Sequence, residues 1–317
     1  MKSVKTLILA GLLSLAAAPA YAHFMMVYTP EIAKSEAGDL DFRIVFTHPA
    51  EAGHTMDMGG VKEFYAMYQR GDNAPKKIDL LQTLKPITWK NPESSGPAFA
   101  ARVPRKEIRS MGDYTFVMVP GYYYEKEEEV YMQQIAKLVV NVGGIPGNWN
   151  AALGLPCEIV PLIKPYGLWT GNVFKARVLS GGKPVPNAEV EVEYMSHMPD
   201  LKANAMPKKG SVTYPHDAFV TQTIFTDDQG YLTFGIPKAG WWGFAALGVG
   251  PDKEHKGKEL SQDAVIWVKA VDSLATSAPF VVCRLTLVRP QRRSKPAGKG
   301  RALSRPRRRG ARRGRRP

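Results

Sequence analysis

The chain has 317 residues, with 43 Lys or Arg, 29 Asp or Glu and only two cysteines. Two cysteines exclude a disulfide-rich scaffold, and no run after the N-terminus reaches the ~18 apolar residues of a membrane-spanning helix. The formal charge of +14 is concentrated at the C-terminus, where fifteen Lys or Arg and no acid lie between Arg284 and Pro317. The body from His23 to Cys283 is mildly acidic, which excludes a nucleic-acid footprint by overall charge.

The first element in chain order is a signal peptide, predicted over residues 1–22. Lys2 and Lys5 form its positive region, residues 7–18 an apolar run, and Ala20 and Ala22 the small residues of a cleavage site. An exported, periplasmic protein is expected. Cleavage after Ala22 makes His23 the N-terminal residue, so one residue offers an α-amine and an imidazole together. Two nitrogens in chelating geometry suit Cu, Ni, Co or Zn. If the leader instead stays as an anchor, His23 has no free amine.

From residue 39 onward the pattern is short strands broken by turns. Residues 40–46 alternate, with apolar side chains at 40, 42, 44 and 46. Further strands are expected at 114–119, 138–142, 174–179, 189–194, 221–225, 231–234 and 265–268, with turn signals at 71–73, 181–184 and 227–230. Residues 125–137 read either as a helix, because acids crowd the first turn, or as an extended crossing segment. The fold class is mainly β, with two β-sandwich-like domains. Residues 23–155 form an N-terminal β domain with the metal site. Residues 156–272 form an immunoglobulin- or transthyretin-like sandwich, marked by the turn at 182–188 and the hairpin at 227–231.

The tail, residues 273–317, cannot bury a core and is expected to be disordered. Three readings compete for it: an electrostatic arm for anionic lipid or nucleic acid, an inert solvated tail, or an out-of-frame translation of a GC-rich gene. The third is preferred, and no role or nucleic-acid partner is assigned. Cys157 reads as a small buried apolar residue, and a bridge between Cys157 and Cys283 is left open.

The histidines carry the chemistry. His48 and His54 lie in Thr47-His48-Pro49-Ala50-Glu51-Ala52-Gly53-His54-Thr55-Met56-Asp57-Met58. Along a straight strand this spacing would hold the two rings ~20 Å apart, whereas Pro49 and Gly53 suggest a loop that brings them together. Imidazole beside thioether suits a soft or borderline metal. The metal candidates are therefore His23, His48, His54, Met56 and Met58, against plain readings of the histidines as surface residues and the methionines as core filling. Of Met25 and Met26, alternation buries one. His197 and His216 are candidates to complete a site between the domains, with Asp217 orienting a ring. His255 reads as a solvated loop residue. No Gly-x-Ser-x-Gly elbow, His-Glu-x-x-His helix or phosphate loop occurs, so no catalytic residue is assigned. Tyr122-Tyr123-Tyr124 and Trp241-Trp242 suggest a sugar-binding surface or, more simply, buried strand-end packing.

Several segments together resemble one family. They are His23-Phe24, Phe46-Thr47-His48-Pro49, Gly112-Asp113-Tyr114-Thr115, Ala136-Lys137-Leu138-Val139-Val140-Asn141 and Glu158-Ile159-Val160-Pro161-Leu162. Gly182-Lys183-Pro184-Val185-Pro186-Asn187-Ala188, Asp228-Gln229-Gly230-Tyr231 and Ala239-Gly240-Trp241-Trp242 complete the set. In this order, over roughly residues 21 to 270, the chain resembles an exported family, labelled a domain of unknown function, associated with nickel and cobalt uptake transporters. The resemblance implies a periplasmic, non-enzymatic protein that binds a divalent transition metal (nickel or cobalt) and serves a membrane metal transporter. His23 and His48 match the family's recurring histidines. Two other readings remain: a copper protein or copper-dependent oxidase using the N-terminal His chelate, and a structural or adhesive β-sandwich module.

Overall fold

A computed structural model of the chain describes residues 23–273. The expected signal peptide, the basic tail from residue 274 on and Cys283 lie outside the described residues. Runs of β-branched and aromatic residues, punctuated by Gly, Asn and Pro, give β-strands and two short 3-10 turns but no α-helix among the described residues. In chain order the strands are β1 (Phe24–Tyr28), β2 (Ala33–Lys34), β3 (Leu40–Thr47), β4 (Val61–Tyr68) and β5 (Lys76–Asp79). Next come β6 (Leu84–Lys90), β7 (Ser95–Val103), β8 (Gly112–Pro120), β9 (Tyr123–Glu125) and β10 (Val130–Val142). Then follow β11 (Cys157–Pro161), β12 (Leu168–Trp169), β13 (Val173–Ser180), β14 (Lys183–Pro184) and β15 (Glu189–Tyr194). The last are β16 (Thr221–Phe225), β17 (Tyr231–Gly235), β18 (Gly240–Ala246), β19 (Glu254–His255) and β20 (Lys258–Val271).

Each strand expected from the sequence is present, and several are longer than expected. Residues 125–137 are extended, not helical. Their acids occupy a turn at 126–129 between β9 and β10, and Glu129 takes the left-handed conformation that closes it (φ 57°). The cause lies downstream. Residues 133–142 are buried in an unbroken run because β10 is a central strand, paired with β8 on one edge and β20 on the other.

A central sheet runs in the order β16-β15-β18-β20-β10-β8-β4-β5. Its two longest strands, β10 and β20, pair in parallel from Tyr131 opposite Leu260 to Leu138 opposite Trp267. Both faces of this sheet are buried. Phe64, Phe116, Ala136, Trp241 and Val265 belong to one apolar core, shared with Phe42, Ile44 and Trp89 of a sheet ordered β1-β3-β7-β6. Their chain neighbours Tyr65, Val117, Ile135, Trp242 and Ile266 belong to a second core, shared with Ile159, Phe174 and Leu232 of the sheet built on β11, β13, β14 and β17. The molecule is thus β-sandwich packing on either side of one shared sheet.

That arrangement alters the expected domain division. The predicted boundary at 155/156 falls in the connection between β10 and β11, yet strands from both sides of it build the central sheet, and the chain clusters as one unit through Leu274. Met25 and Met26 are both buried, not one of them. β1 pairs with β3 and also lies against β10 and β20, so neither of its faces meets water. Trp241 and Trp242 are buried on opposite faces of the sheet and form no surface platform. Cys157 is buried, as expected of a small apolar residue.

Candidate metal centre

β3 ends at Thr47, and its continuation is the loop that carries His48 and His54. The Gly53 N–H donates to the His48 carbonyl (3.2 Å), and the Thr47 hydroxyl donates to the carbonyls of Gly53 (3.2 Å) and His54 (3.1 Å). The Met56 N–H then returns to the Phe46 carbonyl (2.9 Å), so the chain folds back on the strand it left. Ala52 adopts a left-handed conformation (φ 53°), and a Cβ on Gly53 would lie 2.9 Å from the His48 Cβ and Cδ2. Only glycine lets the His48 ring lie against this backbone. The fold-back brings the rings of His48 and His54 to 5.0 Å between centroids.

The N-terminal strand delivers the third ring. Phe24 of β1 is in register with Thr47 of β3, so His23 lies beside His48. The two ring centroids are 4.7 Å apart, and those of His23 and His54 are 6.2 Å apart. One ring nitrogen from each of the three histidines lies within 4.8 Å of the other two. Among the described residues no other group of three or more His, Cys, Asp or Glu approaches so closely. The three differ in exposure: His48 is buried, His23 half-buried and His54 exposed.

Three residues that the sequence did not connect with this site hold His23. The Gln134 side chain, buried on β10, donates to the His23 carbonyl (2.7 Å) and accepts from the Met25 N–H (2.8 Å), a clamp on the start of the strand. The Glu125 carboxylate lies 3.7 Å from His23 Nε2 and accepts from the Tyr123 hydroxyl (3.0 Å). Tyr123 itself packs 6.0 Å from the His23 ring. Burial is the main reason that the His23 pKa falls to about 4; Glu125 opposes it and His54 adds to it. Burial, and then the bond to Glu125, push the Tyr123 hydroxyl to about 12. Glu125 resists the upward push of its own burial because the Glu127 N–H, the Tyr123 hydroxyl and His23 hold its carboxylate below the usual value. His23 also lines a cavity of about 350 Å³ that presents the carboxylates of Glu128, Glu191, Glu259 and Asp263.

Below the loop, Glu193 of β15 accepts from the Ala50 N–H (3.3 Å) and the Thr221 hydroxyl (2.7 Å). The 48–54 loop covers this carboxylate, which is buried. Burial pushes the Glu193 carboxyl up to about 8, against the pull of its two hydrogen bonds. The folded state then keeps a proton that the unfolded chain releases near 4.5. The stability tied to that proton is present below pH 4.5 and is lost as pH rises through about 8. Glu191, pushed to about 7 by burial and then by Glu189, Asp263 and Glu128, acts in the same sense. His23 acts oppositely, but only below its ordinary value of 6.5. Denaturation midpoints of the metal-free protein are therefore expected to fall from pH 6.5 to about pH 8. Glu193→Gln should flatten most of that decline. A wild-type midpoint that stays constant across the interval would contradict the assignment.

The remaining candidates stand apart from the three rings. Met56 and Met58 are buried in the apolar core, where Met56 bridges to Phe46, so they act as core filling. His197 is buried with Nδ1 against the Pro207 carbonyl (2.8 Å). His216 caps the short 3-10 turn at Asp217–Phe219, its Nδ1 accepting from the Ala218 N–H (3.1 Å). Neither joins the cluster, which is made of His23, His48 and His54 alone. His255 is no solvated loop residue: the β19–β20 hairpin stacks it on Tyr122, with centroids 3.9 Å apart.

Comparison with solved structures gives only distant likenesses. The D0-D1 domain of intimin matches at 9% identity and a TM-score of 0.19, covering 78% of this chain and all of that one. The Yersinia pseudotuberculosis adhesin InvE matches at 11% identity and 0.18, covering 76% of this chain and 58% of its own. A two-domain fibronectin type III segment of chicken tenascin matches at 8% identity and 0.18, covering 77% and 98%. At these scores the likenesses add nothing to the fold seen in the chain itself. No curated protein sequence matches. Residues 20–250, which hold the three clustered histidines and the strands from β1 to β18, match the family described as a domain of unknown function (DUF4198), and the chain belongs to that family.

Proposed function

We propose that the chain is a periplasmic binding protein for a divalent transition metal, nickel or cobalt, that serves a membrane metal transporter. The ion is its cargo, held by His23, His48 and His54, and no catalytic step is involved. The observation that carries the reading is the convergence of three ring nitrogens within 4.8 Å of one another. They come from a strand start and from both ends of one folded-back loop. The donor set fits such an ion: imidazole suits nickel, cobalt, copper and zinc alike. Metal–nitrogen bonds of ~2.0–2.1 Å would draw the rings inward, which the exposed His54 is free to allow. Burial supports the reading too, since it keeps His23 neutral and thus competent as a ligand. Cleavage before His23 would add the α-amine as a fourth nitrogen.

Calorimetric titration of the chain beginning at His23 with Ni(II), Co(II), Cu(II) and Zn(II) tests the proposal. One-to-one binding is expected, weaker in a control with one extra N-terminal residue. Intrinsic affinity should favour Cu(II) whatever the biological cargo, so cargo identity is read from the metal recovered with protein isolated from its own compartment. Absence of binding to all four ions would end the metal reading.

A further inference from the structure

Resting on that reading, we infer that Glu125 is a positioning residue that occupies the Nε2 edge of His23, so that His23 takes the ion through Nδ1 together with its own α-amine. The argument begins with what is fixed. Gln134 holds the His23 backbone through the carbonyl, and the Met25 N–H locks the same amide from its other end. The ring can then turn only about its own side-chain bonds.

One ring edge already has an anionic neighbour. Glu125 Oε2 lies 3.7 Å from His23 Nε2, with the two side chains only 15% and 16% exposed. Glu125 is itself held. It pairs with Val130 across the β9–β10 hairpin, its Oε2 accepts from the Tyr123 hydroxyl (3.0 Å), and its Oε1 accepts from the Glu127 N–H (3.2 Å). A neutral imidazole carries its proton on one nitrogen and offers the lone pair of the other. A carboxylate at the Nε2 edge draws the proton there and leaves Nδ1 as the donor. Nδ1 is also the ring nitrogen that closes a chelate with the backbone nitrogen of the same residue, through Cα, Cβ and Cγ. A carboxylate behind a ligating imidazole fixes ring orientation and raises ligand basicity, and its loss costs ~10–100-fold in metal affinity.

The test uses the chain beginning at His23 with ¹⁵N-labelled histidine. Long-range ¹H–¹⁵N spectra are recorded without metal and with the diamagnetic ion Zn(II), beside titrations with Zn(II) and Ni(II). The Nε2–H tautomer is expected at His23 without metal, with the Zn(II)-induced change at Nδ1. Glu125→Ala should populate both tautomers and weaken both ions by about 10–100-fold. Glu125→Gln, which keeps a carbonyl oxygen at the Nε2 edge, should restore the tautomer and most of the affinity. A merely structural Glu125 would shift the thermal midpoint of the alanine variant and leave its tautomer alone. An Nδ1–H tautomer, or Zn(II) bound through Nε2, overturns the inference while leaving metal binding intact. If the wild type binds neither ion, the parent reading fails, and the metal-free tautomer still decides the role of Glu125.

Discussion

Replacing His48 with glutamine, in the chain beginning at His23, is expected to weaken Ni(II) binding by more than ~100-fold, beyond the range typical of residues that only support a ligand. His48 is the buried member of the three and stands between the other two, at 4.7 Å from His23 and 5.0 Å from His54. Its loss removes a nitrogen that water cannot reach to replace. Glutamine fills much of the same volume and keeps the loop packed. His54→Gln should cost less, because an exposed ligand can be exchanged for a solvent molecule. His197→Gln, His216→Gln and His255→Gln should leave affinity unchanged. Thermal melts provide a second readout. Saturating Ni(II) should raise the midpoint of the wild type, as any ligand of the native state does, but not that of His48→Gln. Equal affinity in wild type and His48→Gln would remove His48 from the site.

The second large effect concerns stability. Lys137 and Glu158 form a buried ion pair at 2.8 Å, with side chains 2% and 1% exposed. Burial pulls the Lys137 pKa down, and Glu158 holds it up. Glu158 also accepts from the Leu153 N–H (2.9 and 3.0 Å) and the Gly154 N–H (3.0 Å), so it ties the β10–β11 connection to the central sheet. Lys137→Met should destabilise the fold by about 3–5 kcal/mol, the usual cost of leaving one buried charge without its partner. Glu158→Leu should cost at least as much, since it strands the ammonium and orphans two backbone N–H groups. The double variant should recover part of the loss, because the unpaired charge is gone while the orphaned amides remain. Urea denaturation of the two single variants and the double variant measures the cycle. Additive losses would show that the pair is not coupled.

The way these residues are hidden in the sequence follows from the layering. Strands with one wet face alternate visibly, and β3 and β13 were legible for that reason. The inner strands of the central sheet are largely buried on both faces. β18, with Gly-Trp-Trp-Gly, and the amino half of β10, with acids before it, gave no period-2 signal although β18 is buried from Trp241 on and β10 from Gln133 on. β6 and β7 were obscured by Pro86, Pro97 and two lysines. The convergence of three histidines was easier to read. His23, His48 and His54 were legible because an expected cleavage site and a Pro/Gly-bearing loop are local features. Glu125, Tyr123, Gln134 and Glu193 were not, because each reaches the site through a pairing between distant segments. In isolation these residues read as a charged turn, an aromatic run and two strand polars. The methionines misled for the opposite reason: they are close to the histidines in sequence, but the fold-back turns them into the core.

The parallel pairing of β10 with β20 also bears on the order in which the molecule can assemble. Tyr131 meets Leu260 and Leu138 meets Trp267, so a strand made midway through synthesis waits for one made near its end. Trp267 also donates through its indole N–H to the Met25 carbonyl (2.9 Å), two residues beyond His23. The first strand is therefore seated by the last. Contacts of such sequence separation must close long loops before they return any free energy, which makes folding slow and late. A growing or truncated chain that stops before Lys258 presents the edge of β10 unpaired, a template for wrong partners. The third nitrogen, from His23, is therefore expected to join the locally folded His48–His54 loop only once β20 has seated β1.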